Sequence, residues 1–471
     1  MTDHSRRRFL KGASIAMSGL ALGAGTGAAS SAENQRFLVD LTAVDRSDVP
    51  NDVEIIHDVS EVDLLAARGD PSSVPGAAST MPEVTAHQDD NGPAIEHGGP
   101  KANNHNFDGT ASNTELQWDK RVQDVGDLTD KPDDEQTVHD TTKGAGTRIA
   151  VVDSGVYDAH PDLEDVVNDE LSENFTTDRY DWRPNGAGSH GTHVAGIIAG
   201  TNSNDGPDGG ILGTAPETEI VSHRIFSGVK GEGAYLGDVI AALVSAADKG
   251  CDAANFSVGY GVAPTDESWV PIVREAYRRF TAYAREKGMV FVNSAGNSGA
   301  NMTPEETISL PTEVEGTFGV SATGPIGCGW GSNHDDNEEK WLTGDRLEEP
   351  TTQPAFYTNY GDAVDVSAAG GNADLDVIGT GVPWYNDLVF SSIYTTDENG
   401  DTVAGYGWKA GTSMAAPQVA GAVALVRSLR PDASVDEVES LIQETASDAE
   451  EGETYHGAGH LDLERLVTAA E

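Results

Sequence analysis

The chain has 471 residues, and 29 Lys+Arg against 78 Asp+Glu give it a formal net charge of −49. Such a charge repels nucleic acid and anionic membrane surfaces and argues against both as partners, while 37% hydrophobic residues and 54 glycines argue for a packed domain with an acidic, solvated surface. That surface repels itself in dilute buffer and is relieved near molar salt, where the Debye length shrinks to about 3 Å, so the composition points to a halophilic protein.

The N-terminus opens with Ser5-Arg6-Arg7-Arg8-Phe9-Leu10-Lys11 ahead of a mildly apolar, Gly/Ala-rich run from Gly12 to Ala28. Twin arginines before a short, weakly hydrophobic stretch resemble a twin-arginine export signal, with cleavage expected after the small residues Ser30, Ser31 and Ala32. Residues 1–32 are thus expected to be a signal peptide, and no later stretch offers the 18 or so continuous apolar residues of a membrane span. From Glu33 the strand-like pieces Arg36–Leu41 and Val53–Ile56 precede a Pro/Gly/Ser/Asp-rich tract, Gly69–Asn106, which reads as a linker. Residues 33–108 are expected to form a small α+β pro-segment with its connector; an accessory domain would look alike.

Residues 109–471 read as an α/β domain. Apolar strands at Arg148–Val152, Ile220–Val221, Ala254–Ser257 and Met289–Val292 alternate with stretches of helical periodicity at Tyr235–Lys249, Ile272–Lys287 and Ser413–Leu429. Helical crossovers make the strands parallel, so a doubly wound sheet is expected. Asn202–Gly210 and the acidic stretch Gly327–Pro354 read as surface loops or insertions. Cys251 and Cys328 are too few for a disulfide framework; buried apolar thiols and a single bridge are both open.

Three segments place a reactive side chain beside small residues at an element end. Asp153 terminates the apolar run Ile149-Ala150-Val151-Val152, where an acid needs a donor, and an imidazole is one. His190 opens Ser189-His190-Gly191-Thr192-His193-Val194-Ala195-Gly196; the His190/His193 pair lacks the glutamate and spacing of a zinc-peptidase helix. Ser413 lies in Gly411-Thr412-Ser413-Met414-Ala415-Ala416-Pro417 at a helix start, where an N-cap is the bland reading and an activated nucleophile the sharp one.

In the order Asp, His, Ser, these motifs resemble those of the subtilisin family of serine peptidases, over roughly Gln117–Val467. The resemblance implies a subtilisin-like α/β fold and a Ser413-His190-Asp153 triad acting through an acyl-enzyme. It makes Asn297, in Asn293-Ser294-Ala295-Gly296-Asn297-Ser298-Gly299, the oxyanion-hole donor; a plain Asn-Ser-Gly turn is the alternative. It implies that Ser257, Val258 and Gly259 line the substrate pocket and that Gly231 and Gly233, in Lys230-Gly231-Glu232-Gly233, let an extended peptide approach. Asp162 matches a calcium-ligand position of the family, beside the loop Thr201–Ile211, although that loop departs from the family pattern; no organic cofactor is implied.

The sum is a secreted, extracellular serine endopeptidase, similar to the haloarchaeal halolysins, held inactive by its own pro-segment, acting as a monomer on protein or peptide substrates and not lodged in a membrane. Its activity is expected to fall as the pH drops through the imidazole range, near 6.5 for an unperturbed side chain. A catalytically inactive subtilisin-like binding protein is the alternative, against which all four catalytic positions are filled. An α/β-hydrolase esterase would need a Gly-x-Ser-x-Gly elbow and Ser-before-His order, and Ser413 has neither.

Overall fold

The computed structural model describes residues 35–76, 79–88, 94–95, 113–126, 136–206, 208–230, 232–326, 352–375, 384–397, 399–449 and 452–471. The expected leader, Gly231, Cys328 and nearly all of the Gly327–Pro354 insertion lie outside these residues. The chain divides into one unit that runs to Glu83 and takes in Asp374–Val382, and a second made of Val84–Ala373 and Pro383–Glu471.

In the first unit, β1 (Gln35–Asp40), β2 (Glu54–Val59), β3 (Leu64–Gly69) and β4 (Thr80–Pro82) form an antiparallel sheet in the order β2-β3-β1-β4. Phe37 and Val39, two apart on β1, share a face and pack with Leu65 and Ala67 of β3, which also lie two apart, and with Val44, Val49, Val53 and Val74 from the connections. Short 3-10 turns at Arg46–Asp48, Ser60–Val62 and Pro71–Ser73 join the strands.

The described residues of the Gly69–Asn106 tract, expected to be a linker, include short paired strands. Besides β4, that tract holds β5 (Thr85–Gln88) and β6 (Ala94–Ile95), both in the second unit. Neither piece is long enough to show a period of its own; each is a strand because an existing edge supplies its hydrogen bonds.

The other strands of the second unit are β7 (Arg148–Asp153), β8 (Glu173–Asn174), β9 (Glu219–Arg224), β10 (Ala234–Tyr235), β11 (Ala253–Phe256), β12 (Val258–Gly259), β13 (Val262–Pro264), β14 (Val290–Ser294), β15 (Thr307–Ser309), β16 (Phe318–Thr323), β17 (Val366–Ala369), β18 (Val389–Thr396) and β19 (Thr402–Lys409). Seven of the strands make a wholly parallel sheet, β17-β16-β14-β11-β7-β9-β8. The chain lays β9 on one side of β7 and β11 on the other, so the strand order reverses at β7 and a crevice opens beyond its carboxyl end.

Helix Val270–Glu286 buries Val273, Ala276, Tyr277, Phe280 and Ala284, a stripe at three- and four-residue spacing, and Tyr277 and Phe280 pack on Phe291 of β14. Helices His190–Ala199 and Thr412–Leu429 are instead buried nearly all round, which accounts for their runs of Ala, Gly and Val. These two helices pack on one another and carry the histidine and the serine singled out above.

Candidate active site

A carboxylate that ends a fully buried strand needs donors. Asp153 closes β7 with no exposure; its Oδ2 accepts from His190 Nδ1 at 2.8 Å and its Oδ1 from the Ser154 N–H at 2.6 Å. Because Nδ1 donates to the carboxylate, Nε2 is the basic nitrogen of the neutral ring. Ser154 Oγ accepts the Gly191 N–H at 3.0 Å, seating the first turn of the His190 helix against the strand end. A Cβ at Gly191 would lie 2.6 Å from the Gly155 carbonyl oxygen, so only glycine after His190 permits that approach.

Ser413 is the second residue of helix Thr412–Leu429, which contains Pro417. Proline lacks the N–H that would bond the carbonyl four residues back, here that of Ser413. Ser257 Oγ fills the gap, donating to the Ser413 carbonyl at 3.1 Å, while Ser413 Oγ donates to the Ser257 carbonyl at 3.5 Å. Ser257 follows β11, the neighbour of β7, so Ser413 is held by the residue after one strand and the His190–Asp153 pair lies at the carboxyl end of the adjacent parallel strand. Asn297 follows β14 on the far side of β11; its Oδ1 accepts from the Thr412 N–H and from Thr412 Oγ1, both at 2.9 Å. The carbonyl end of its amide is thereby fixed beside Ser413, and Nδ2 is the donor end.

Val258 and Gly259 form β12, which pairs antiparallel with Gln88 and His87 of β5. On its other edge β5 pairs with β10, Ala234 opposite Ala86 and Tyr235 opposite Thr85, and the Leu236 N–H donates to the Val84 carbonyl at 2.8 Å. The edge that β5 pairs with is Ala234–Tyr235, directly after the expected Lys230–Gly233 segment, of which Gly231 lies outside the described residues. Gly233 leads directly into it, and a Cβ there would come 3.1 Å from Thr85 Cγ2. Side chains alternate along β5: Thr85 and His87 are exposed, Ala86 is buried, and Gln88 is half-buried with Nε2 donating to Asp153 Oδ1 at 3.2 Å. This strand, the structural partner of the candidate site, carried no signal in the sequence.

His193, the other member of the His-x-x-His pair, is fully buried and bonds the Gly407 carbonyl through Nε2 at 3.1 Å. Burial pushes its imidazole down to about 3, which keeps it neutral. Cys251 is buried, and desolvation raises its thiol to about 12.

The residues around Asp162 do not fit the calcium ion expected there. A calcium site turns six to eight oxygen atoms toward the ion. Here the loop turns N–H groups toward the buried carboxylate: Oδ1 accepts from the Asn204 N–H at 3.1 Å, and Oδ2 from the Ile211 N–H at 3.0 Å. Tyr406 on β19 donates its hydroxyl to Oδ2 at 2.6 Å and itself accepts from Asn204 Nδ2 at 2.8 Å. Among the described residues no three His, Cys, Asp or Glu side chains converge as a metal site. Asp162 could be read in the sequence as an acid needing partners, but Tyr406 lies too far along the chain to be matched to it.

The subtilase family model (Peptidase_S8) matches residues 144–460, which contain the Asp153, His190, Asn297 and Ser413 positions. A thermophilic serine proteinase of Bacillus sp. (strain AK1) is 32% identical over 332 residues, 70% of this chain and 64% of its own length. Thermitase of Thermoactinomyces vulgaris is 28% identical over 330 residues, covering 70% of this chain and 91% of thermitase. The crystal structure of fervidolysin from Fervidobacterium pennivorans, a keratinolytic enzyme related to subtilisin, shares the fold with a TM-score of 0.63 at 22% identity, over 92% of this chain and 61% of fervidolysin. With a family match over residues 144–460, the chain belongs to the subtilase family of serine peptidases.

Proposed function

We propose that the protein is a secreted serine endopeptidase that hydrolyses peptide bonds in other proteins through Ser413, His190 and Asp153. The observation that carries this reading is the 2.8 Å bond between His190 Nδ1 and Asp153, at the sheet edge where Ser413 is tied to Ser257. His190 Nε2 takes the Ser413 proton as Oγ attacks the peptide carbonyl, and the same proton passes to the leaving amine as the acyl-enzyme forms. Asp153 orients the ring and stabilises the imidazolium. Asn297 Nδ2 and the helix N-terminus at Ser413 serve the developing oxyanion. Water then repeats the sequence on the ester.

An extended substrate takes its main-chain bonds from Val258–Gly259 and Ala234–Tyr235, with Ser257 and Gly233 beside it. The pairing of β5 with both edges supports the pro-segment as the inhibitor, since a chain that holds those edges excludes a substrate. The twin-arginine leader and the charge of −49 extend the reading to export and to a salt-rich, halolysin-like setting. The inactive-binding alternative has no observation in its favour.

The test is casein hydrolysis by the purified protein across a salt series, with a serine-directed phosphonate inhibitor and intact-mass detection of its adduct. Activity lost together with a single adduct on Ser413, and absent from Ser413→Ala, is the expected result. Full activity in Ser413→Ala would sink the mechanism.

A further inference from the structure

We propose that this peptidase selects protein segments carrying a small side chain and, two positions later, a carboxamide. The inference rests on the peptidase reading above and names the substrate class that the same site takes.

The chain supplies its own template for an extended occupant. β5 is hydrogen-bonded on both edges, by β10 and by β12, so its register against the enzyme is set by main chain alone. The strand period of two then decides which side chains the protein can read. Thr85 and His87 are exposed, whereas Ala86, 1% exposed, is enclosed and Gln88 is half-buried against Asp153. Enclosure at Ala86 suits a methyl group and penalises a larger side chain, which would have to displace packed neighbours.

At Gln88 the reading is chemical. Its Nε2 donates at 3.2 Å to Oδ1 of Asp153, the carboxylate oxygen that also holds the Ser154 N–H, while the other oxygen holds His190. A carboxylate accepts only, so this position selects a donor. An acidic side chain there would face Asp153 with like charge, and an aliphatic one would shield the carboxylate without bonding it. A lysine would donate, but its charge would stand beside the imidazolium that forms in the transition state and oppose it. A neutral carboxamide satisfies Asp153 without that conflict. Such a contact also makes the catalytic aspartate part of the recognition surface, which composition and motif spacing do not reveal.

The experiment uses internally quenched peptides spanning residues 83–95 of this chain, with the position of Gln88 as Gln, Asn, Glu, Leu or Lys and that of Ala86 as Ala or Leu. They are assayed against the active enzyme at high salt, and aligned cleavage sites in casein are read in parallel by mass spectrometry. The expected result is a kcat/KM about tenfold lower for Glu, Leu and Lys, with Asn retaining most of the rate and Leu at the Ala86 position again about tenfold lower. Casein cuts should then be enriched in Gln or Asn two residues after a small residue. Rates within twofold of one another, or casein cuts without that pattern, would overturn the proposal while leaving the peptidase reading intact. No cleavage of any substrate together with no adduct on Ser413 would instead overturn the peptidase reading.

Discussion

Asn297 shows how one side chain can be structural at one end and chemical at the other. Its Oδ1 holds both Thr412 groups, so deleting the side chain would disturb the serine turn as well as remove a donor. Two variants separate these roles. Asn297→Ala should lower kcat by about 10²–10³ with little change in KM, because the donor acts on charge that develops only in the transition state. Asn297→Asp keeps an acceptor for Thr412 and replaces the donor with a negative charge, so it should be at least as slow. Steady-state kinetics referred to titrated active sites give the answer; recovery by Asp would reduce Asn297 to a structural tie. At this scale the sequence singles out Asp153, His190 and Ser413 through their motifs and Asn297 through the family resemblance, and the catalytic roles of all four are the proposal made above. It does not single out Gln88 or Tyr406: each acquires its role from a partner far away in sequence, Asp153 and Asp162 respectively.

Among the elements, periodicity served where a helix or strand packs on its own pattern. The expected Tyr235–Lys249 and Ile272–Lys287 helices form as Leu236–Asp248 and Val270–Glu286. The short strands β5, β6 and β10 went unread because main-chain pairing, not side-chain pattern, makes them strands. Between elements, the Ser257 bond to the Ser413 carbonyl compensates for Pro417, and this yields a double-mutant prediction. Ser257→Ala should destabilise by about 1–3 kcal/mol, the usual cost of an unmade buried bond, whereas Pro417→Ala restores the helical N–H and should recover part of that loss. Denaturant melts of the inhibitor-treated proteins measure it, and strictly additive losses would contradict the pairing. A second element-level prediction concerns Asp365, which joins β16 to helix Val435–Thr445 by accepting the Gly319 N–H at 2.7 Å and Gln443 Nε2 at 2.9 Å. Desolvation, aided by nearby Glu439, raises its carboxyl to about 7. Since the unfolded value is about 3.9, the folded state holds the extra proton between these limits, and its stability falls as the pH rises from about 4 to about 7. Asp365→Asn should therefore raise Tm at pH 8 by several degrees and change it little at pH 4; an equal shift at both would rule out titration as the cause.

Over the whole molecule the dominant quantity is the charge of −49, which no local contact neutralises. Ion pairs do form, such as the buried Arg224–Asp178 bridge at 2.8 Å, but 29 basic residues cannot pair 78 acidic ones. Among the described residues, exposed acids include Asp266, Glu305, Glu306, Asp432 and Glu444. Their mutual repulsion acts over a Debye length of about 10 Å at 0.1 M salt and about 3 Å at 1 M, so most of the stabilisation by salt should arrive below about 1 M, with a slower rise beyond. Tm measured against KCl concentration should follow that curve, while sucrose, which screens nothing, should give only a shallow slope. Changing those five acids to their amides supplies the decisive comparison. If repulsion destabilises the fold at low salt, the amide variant should melt higher than the parent at 0.1 M, and the difference should close as salt is added. If instead the acidic side chains stabilise the fold by binding hydrated cations, the variant should melt lower than its parent at every concentration, and the repulsion account of this surface would be wrong.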